Sequence, residues 1–491
     1  MSKKYSLNLF VIAVFLLIPF KLQAAQYALV DTVADKDITT AVERELEHEN
    51  AVSAHLIDVE TKNGVVKLSG WVEHLLAKEK ATSLAMSVRG VLSVINDIRV
   101  KPAYREDEEI KNDVITALIL NPATDRFEID LKIEDGIAIL KGTVASWQER
   151  ELTENVVKNV KGIREIDNRL IIERAKQRPD IELQKEIRGF LDMDVWVDAQ
   201  SIDVDVSDGV VTLKGNVGSA TEKASAINDC LIPGVKKVNA DSLKVIWWER
   251  ETIKRPIKGA PKSDVTIRNA IEQTFTYDPR LEQYSPEVSV DDGIVTLSGT
   301  VGDLQAKSAA KEDAENTAGV LSVENKIKVR PETLKTDTRL ARDIRKALEW
   351  DPYLDRHEVV VSVSNSKAYI AGSVNTAFEK QRASKIASEV NGVVAIENNI
   401  KVDENLYDFD MNIPWQEDWK ISRDVRLEML WNPYIEEDSI KIDVLEGVVT
   451  LTGTVETYQQ KRMARKEAFQ GGAKAVKNKL EVLEAPYSVQ P

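Results

Sequence analysis

The residue types that usually carry chemistry are scarce in this sequence. Cys230 is the one cysteine, and there are four histidines, His48, His55, His74 and His357. A lone cysteine cannot build an intrachain disulfide framework or a multi-cysteine zinc site. The histidines form no HxxxH or HxH pair, so each is read as a surface or packing residue and not as a metal ligand. Asp203 and Asp205 ahead of Gly209 resemble a calcium loop. With Gly209 at the sixth place, however, Val204 falls at the first, where a carboxylate is required. Glycines six apart, such as Gly64 and Gly70, lie along strand-like sequence with no Gly-Lys-Ser/Thr behind them to cradle phosphate. No Ser/His/Asp or Cys/His set can be assembled. The expectation is a chain with no catalytic residue that can be named, no metal and no cofactor, which argues against most enzyme classes while leaving open chemistry that needs only carboxylates.

One cluster does have a binding pattern. Lys461, Arg462, Arg465 and Lys466 share one helix face, with Lys474, Lys477 and Lys479 nearby. An exposed face of this kind attracts anionic lipid headgroups at about 1 kcal/mol per residue. The alternative is a solvated helix face. Trp247, Trp248 and Trp415 lie in joints between units, where they either dip into a membrane interface or pin adjacent units. The chain as a whole is acidic, with 81 Asp+Glu against 66 Lys+Arg and a net charge of −15. That balance opposes general nucleic-acid binding and confines any membrane contact to a local patch.

The 491 residues suggest about three domains by length alone. The 43% apolar and 30% charged fractions are those of a soluble globular chain. Met1–Ala25 reads as a secretory address. Lys3 and Lys4 precede the apolar run Leu9–Phe20, which is too short to span a bilayer as a helix. Cleavage is expected after Ala24, leaving a protein three units more negative in an extracytoplasmic space. The alternative is an uncleaved anchor. No cysteine stands at the junction, which argues against a lipoprotein.

The elements that position everything else repeat six times. Six hairpin segments, from NGVVKLSGWV to EGVVTLTGTV, place a turn residue at Gly64, Gly136, Gly209, Gly293, Ser366 and Gly447. A second glycine follows six residues on, at Gly70, Gly142, Gly215, Gly299, Gly372 and Gly453. A third follows later, at Gly90, Gly162, Gly234, Gly319, Gly392 and Gly472. Ahead of the hairpin, apolar residues recur at helical spacing, as in Ile110, Val114 and Leu118, and Asn-Pro or Asp-Pro ends the helix in four copies. The first and third copies lack that proline. Ile202 to Val206 alternates apolar with acidic residues, so its aliphatics share one strand face. Asn/Asp-Gly turns accept the positive φ angles of a tight hairpin. A second helix and a last strand complete an α-β-β-α-β unit. The alternation predicts a three-stranded sheet with both helices on one face, hence an α+β tandem array. Cys230 falls 15 residues after Gly215, where other copies carry Ala85, Val157, Ala314, Ala387 and Ala468, so it is expected to pack in a core.

This pattern resembles the BON family, small domains named for bacterial osmotically induced and nodulation proteins. The hairpin motif, the Gly-Val segment running to Asn96, Asn325 or Asn398, and the Asp-Pro helix stop carry the resemblance. The units are expected at residues 36–102, 107–173, 178–246, 261–332, 335–404 and 418–484. Longer joints at Trp247–Lys262 and Asp403–Glu417 predict a 3+2+1 grouping. Tyr407, Phe409, Ile413 and Trp415 in the second joint are expected to pack on a neighbour. The resemblance implies a non-enzymatic periplasmic protein that binds phospholipid or other envelope surfaces and supports envelope integrity under osmotic stress. Lys461, Arg462, Arg465 and Lys466 are the candidate contact. The alternative is a protein-interaction scaffold or chaperone-like protein with envelope proteins as partners.

Overall fold

The computed structural model describes residues 33–49, 51–124, 128–172, 178–246, 262–354, 359–402, 417–473 and 475–483. The secretory segment lies outside these residues, as do His357, Lys474 and the joints apart from Lys262 and Glu417. Six α-β-β-α-β units follow one another. In chain order the helices are α1 (Asp35–His48) and α2 (Leu75–Met86) in unit 1, and α3 (Asp107–Leu120) and α4 (Trp147–Lys158) in unit 2. Unit 3 holds α5 (Asp180–Met193) and α6 (Ala220–Asp229), and unit 4 holds α7 (Asp264–Tyr277) and α8 (Leu304–Glu315). Unit 5 holds α9 (Asp337–Trp350) and α10 (Ala377–Ser388), and unit 6 holds α11 (Asp418–Trp431) and α12 (Tyr458–Gln470). The missing proline changes nothing in units 1 and 3. Both α1 and α5 stop where the next residue, Glu49 or Asp194, turns extended.

In every unit the return strand is central. In unit 3, Val210–Val217 runs antiparallel to Ile202–Ser207 and parallel to Lys237–Val245. The parallel partner requires a crossover, which the second helix supplies. The alternation behaves as expected: Val204, Val211 and Leu213 are buried, whereas Asp203 and Asp205 are exposed. The asparagine of the last strand now has a task. Asn96, Asn325, Asn398 and Asn478 donate to the carbonyls of Lys78, Lys307, Lys380 and Lys461, tying that strand to the second helix.

The hairpin turns need positive φ at both central residues. Asp208 and Gly209 have φ of 51° and 74°, and Asn365 and Ser366 have 52° and 59°. Unit 5 therefore keeps the same turn type with serine in a left-handed position. Ser366→Gly is expected to stabilise unit 5 by about 1 kcal/mol. A thermal midpoint that stays put or falls would contradict this.

A second restraint on these turns is built from the first helix. Its leading aspartate accepts hydrogen bonds from both turn amides. Asp180 takes Asp208 N and Gly209 N at 2.8 and 2.9 Å, and Asp337 takes Asn365 N and Ser366 N, each at 2.9 Å. The same pair of bonds recurs at Asp35, Asp107, Asp264 and Asp418. Each carboxylate serves its own helix N-terminus and the hairpin at once.

The units are not grouped 3+2+1 as joint length predicts. They pack as nested pairs, 1 with 6, 2 with 5 and 3 with 4. Units 2 and 5 share one hydrophobic core. They exchange reciprocal backbone bonds, Lys161 N to Trp350 O at 2.8 Å and Asn391 N to Leu120 O at 2.9 Å. Units 1 and 6 make the equivalent bond from Arg89 N to Trp431 O at 3.0 Å, and units 3 and 4 make it from Ala318 N to Met193 O at 2.7 Å. The reciprocal bond of the last pair would have to start at Pro233, which has no N–H. Joint length limits how far units can separate, whereas complementary helix faces decide which ones pair.

Candidate functional site

The basic helix face is split by the packing. α12 begins at the N-cap Thr457, whose side chain accepts from Gln460 N. Gln459 donates to the Glu315 carbonyl of unit 4 at 2.7 Å, and Arg462 pairs with the Glu315 carboxylate. Arg462 is thus engaged at an interface between units. Its side chain nonetheless stays about half exposed; Arg465 and Lys466 are also exposed, and Lys461 is half-buried. The Arg465 guanidinium lies 5.7 Å from the ring of Phe469, an apolar side chain that is itself 43% exposed. The solvent side of α12 therefore presents cations next to an aromatic ring. Among the described residues no helix is long and apolar enough to cross a membrane.

The turn residues Gly64, Gly136, Gly209, Gly293 and Gly447 all sit in their hairpins with positive φ, and none lines the half-open cleft shared by units 1 to 5. Cys230 is buried, its thiol donates to the Ala226 carbonyl, and burial pushes it up to about 12. A thiol held protonated this way is a packing group. His74 caps α2 by accepting from Ala77 N, the place that Ser146, Ser219, Asp303, Thr376 and Thr457 fill elsewhere. Burial and the neighbouring Arg382 lower His74 to about 4, so it is a neutral acceptor.

Two features escape the reading of the sequence. The leading aspartates stand 29 residues before every turn residue, a spacing open to counting. The second feature is a buried cluster at the 1–6 interface. Glu45 of α1, Glu428 of α11 and Glu467 of α12 bring carboxylate oxygens within 4.8 Å of one another. Glu45 and Glu428 occupy equivalent positions in the repeat, where other units carry Ala117, Phe190, Thr274 and Ala347. Glu428 accepts from Arg44 at 3.1 Å and lies 2.9 Å from His48 Nδ1. Burial pushes Glu428 up, but hydrogen bonds with His48 and Glu45 and the charge of Arg44 outweigh it and hold the group below its usual range. Burial, reinforced by Glu428, keeps Glu45 well above the usual range, and burial lifts Glu467 to about 7.

The profile of the BON domain matches residues 34–102, 106–174, 179–246, 263–331, 336–404 and 417–484. The chain belongs to the BON domain family. BON units thus account for nearly all of the described residues. The chain is 31% identical over 144 residues to osmotically-inducible protein Y of Escherichia coli K12, a match spanning 28% of this chain and 71% of that protein. Among solved structures, it is similar to CdsD, a structural protein of the type III secretion system of Chlamydia trachomatis. That likeness has 16% identity and a TM-score of 0.13, covering 48% of this chain and 99% of the other. The C-terminal domain of CdsD gives a TM-score of 0.12 at 16% identity, covering 44% of this chain and all of that one.

Proposed function

We propose that this chain is a periplasmic, non-enzymatic envelope protein of the osmotic-stress response that engages phospholipid headgroups through the exposed side of α12. The six BON units and the osmotically inducible relative support the envelope and stress part of this reading. The lipid part rests on one observation, the exposed Arg465 and Lys466 beside half-exposed Phe469. Cations draw the helix to an anionic surface, and the ring adds apolar contact at headgroup depth. Lys461 lies on the same face.

Flotation with phosphatidylglycerol-containing and pure phosphatidylcholine vesicles tests the reading. Binding to the anionic vesicles alone is expected, weakened at least about fivefold by Lys461→Glu with Arg465→Glu. Arg462 is left in place because it pairs with Glu315, and Lys466, although exposed, because its charge also lowers the buried Glu467 carboxyl. No flotation, or flotation unchanged by the double variant, sinks the lipid contact.

A scaffold reading is favoured by a different observation. Each described unit keeps its own sheet, with the first and last strands at open edges. Between units there is one isolated bridge, Asp194 to Thr317, among the described residues. Open edges accept extended peptides. Crosslinking in envelope extracts that yields protein adducts independent of lipid would favour this reading.

A further inference from the structure

The chain closes on itself through its first and last units, and that closure differs in kind from the other two pairings. At the equivalent first-helix positions, units 2 and 5 carry Ala117 and Ala347, and units 3 and 4 carry Phe190 and Thr274. Units 1 and 6 carry Glu45 and Glu428, which are 6% and 0% exposed. These two carboxyls hydrogen-bond to each other across the interface. Such a bond exists only while one of them holds a proton, since an ionised carboxylate has nothing to donate.

The surroundings decide which one holds it. Glu428 accepts from Arg44 Nε at 3.1 Å and lies 2.9 Å from His48 Nδ1, so it is the ionised acceptor. Glu45 faces the carboxyls of Glu428 and Glu467, with Lys466 of α12 as the opposing cation, so it is the donor. Glu467 completes the cluster. It accepts from Asn432 at 2.9 Å, with Lys466 and, from α2, Lys80 as its cations. Lys80 is shared with Glu49, which it pairs at 2.8 Å.

We infer that the 1–6 interface is a proton-operated clasp: α1 and α11 stay together while Glu45 donates its proton to Glu428, and they part when that proton is lost. Ionisation of Glu45 turns a hydrogen bond between the two ends of the chain into a buried contact of like charges. Burial and Glu428 hold Glu45 well above its ordinary 4.5, and burial lifts Glu467 to about 7. Carboxyls raised in the closed form support it fully below about 4.5 and cease to do so as pH rises through the raised values. The clasp therefore loosens on the alkaline side. Asp313, Asp351 and Glu389 are raised by burial as well, but their chief charged neighbours lie within their own units, so they join no two units in this way. The opening is local. It breaks the bond from Arg89 N to Trp431 O, whereas Tyr353 still holds the Ala51 carbonyl of unit 1 at 3.1 Å and Gln459 still ties unit 6 to Glu315.

Distances between paired spin labels in the full chain test the clasp. One pair replaces Glu43 on α1 and Arg426 on α11, both exposed, in a Cys230→Ala background. A control pair replaces Ile115 and Arg345, the same places in units 2 and 5. A second, longer 1–6 distance is expected to grow in population at least about tenfold between about pH 6 and about pH 8.5, reversibly, while the control stays fixed. Glu45→Gln gives Glu428 an N–H donor that does not titrate. Combined with Glu467→Gln, it should keep the clasp shut at both pH values. The absence of a longer distance in the wild type overturns the proposal. So does an equal change in the control pair, which marks general loosening of the chain. A double variant that opens as the wild type does rejects Glu45 and Glu467 as the source of the opening.

Discussion

Replacing Gly215 by alanine unfolds the third unit, while the same change at Gly299 costs unit 4 about 1 kcal/mol. Both glycines occupy the same place in the repeat and both have positive φ, 117° and 101°. They differ in what a side chain would meet. At Gly215 a Cβ would lie 2.1 Å from the Ser201 carbonyl oxygen, a backbone atom at the start of the neighbouring strand. At Gly299 the nearest atom is Glu287 N at 3.8 Å, ordinary contact. Gly215→Ala therefore forces the hairpin strands apart, a loss above about 4 kcal/mol. Units of this size are marginal on their own. Hydrogen exchange resolved by unit is the measurement. Loss of protection should begin in Ile202–Val217 of the Gly215 variant and be slight in the Gly299 variant. Equal losses would show that strain in φ, and not the close approach, governs this position.

Glu467→Gln is expected to stabilise the 1–6 interface above neutral pH and to flatten its pH dependence. Burial raises the Glu467 carboxyl from its ordinary 4.5 to about 7. A carboxyl raised in the folded state holds its proton more tightly there than when unfolded. Its contribution to stability is then complete below about 4.5 and is lost as pH rises through 7. The shift corresponds to about 3 kcal/mol across that window. Lys466 and Lys80 lower the value and Glu428 raises it, while Asn432 donates to Glu467 at 2.9 Å. A glutamine side chain keeps that acceptor without the charge. Glu45, raised by burial and by Glu428, acts in the same sense. Glu428 acts in the opposite sense: it is held low by His48, Glu45 and Arg44, and its support fades as pH falls through its own depressed value. Thermal melts from pH 5 to pH 8, with exchange read in α11 and α12, test this. A wild-type 1–6 interface that gains stability over that range would refute the assignment, as would a variant with unchanged slope.

Much of the unit is legible because its signals are local. Asp208-Gly209 announces its own turn, Ile202 to Val206 shows its own alternation, and a repeat read six times averages out ambiguity. Cys230 can be placed in a core because five alanines or valines stand at its offset. The lipid face reads as four equivalent cations, yet Arg462 is held by Glu315, 147 residues earlier. Nothing near Arg462 in the sequence reveals that partner.

The buried glutamates make the same point from the other side. On α1, Glu45 follows Val42 and precedes Leu46, a register that reads as the flank of an apolar stripe. It becomes buried because unit 6 covers it, and unit 6 covers it because the units fold back in nested pairs. The order of residues is enough to specify the unit, its turns and the number of copies, since backbone preference and apolar period act within a few residues. Which units meet, which charges are desolvated and where a cavity is left are set by the assembled fold, since these depend on surfaces brought together from hundreds of residues apart.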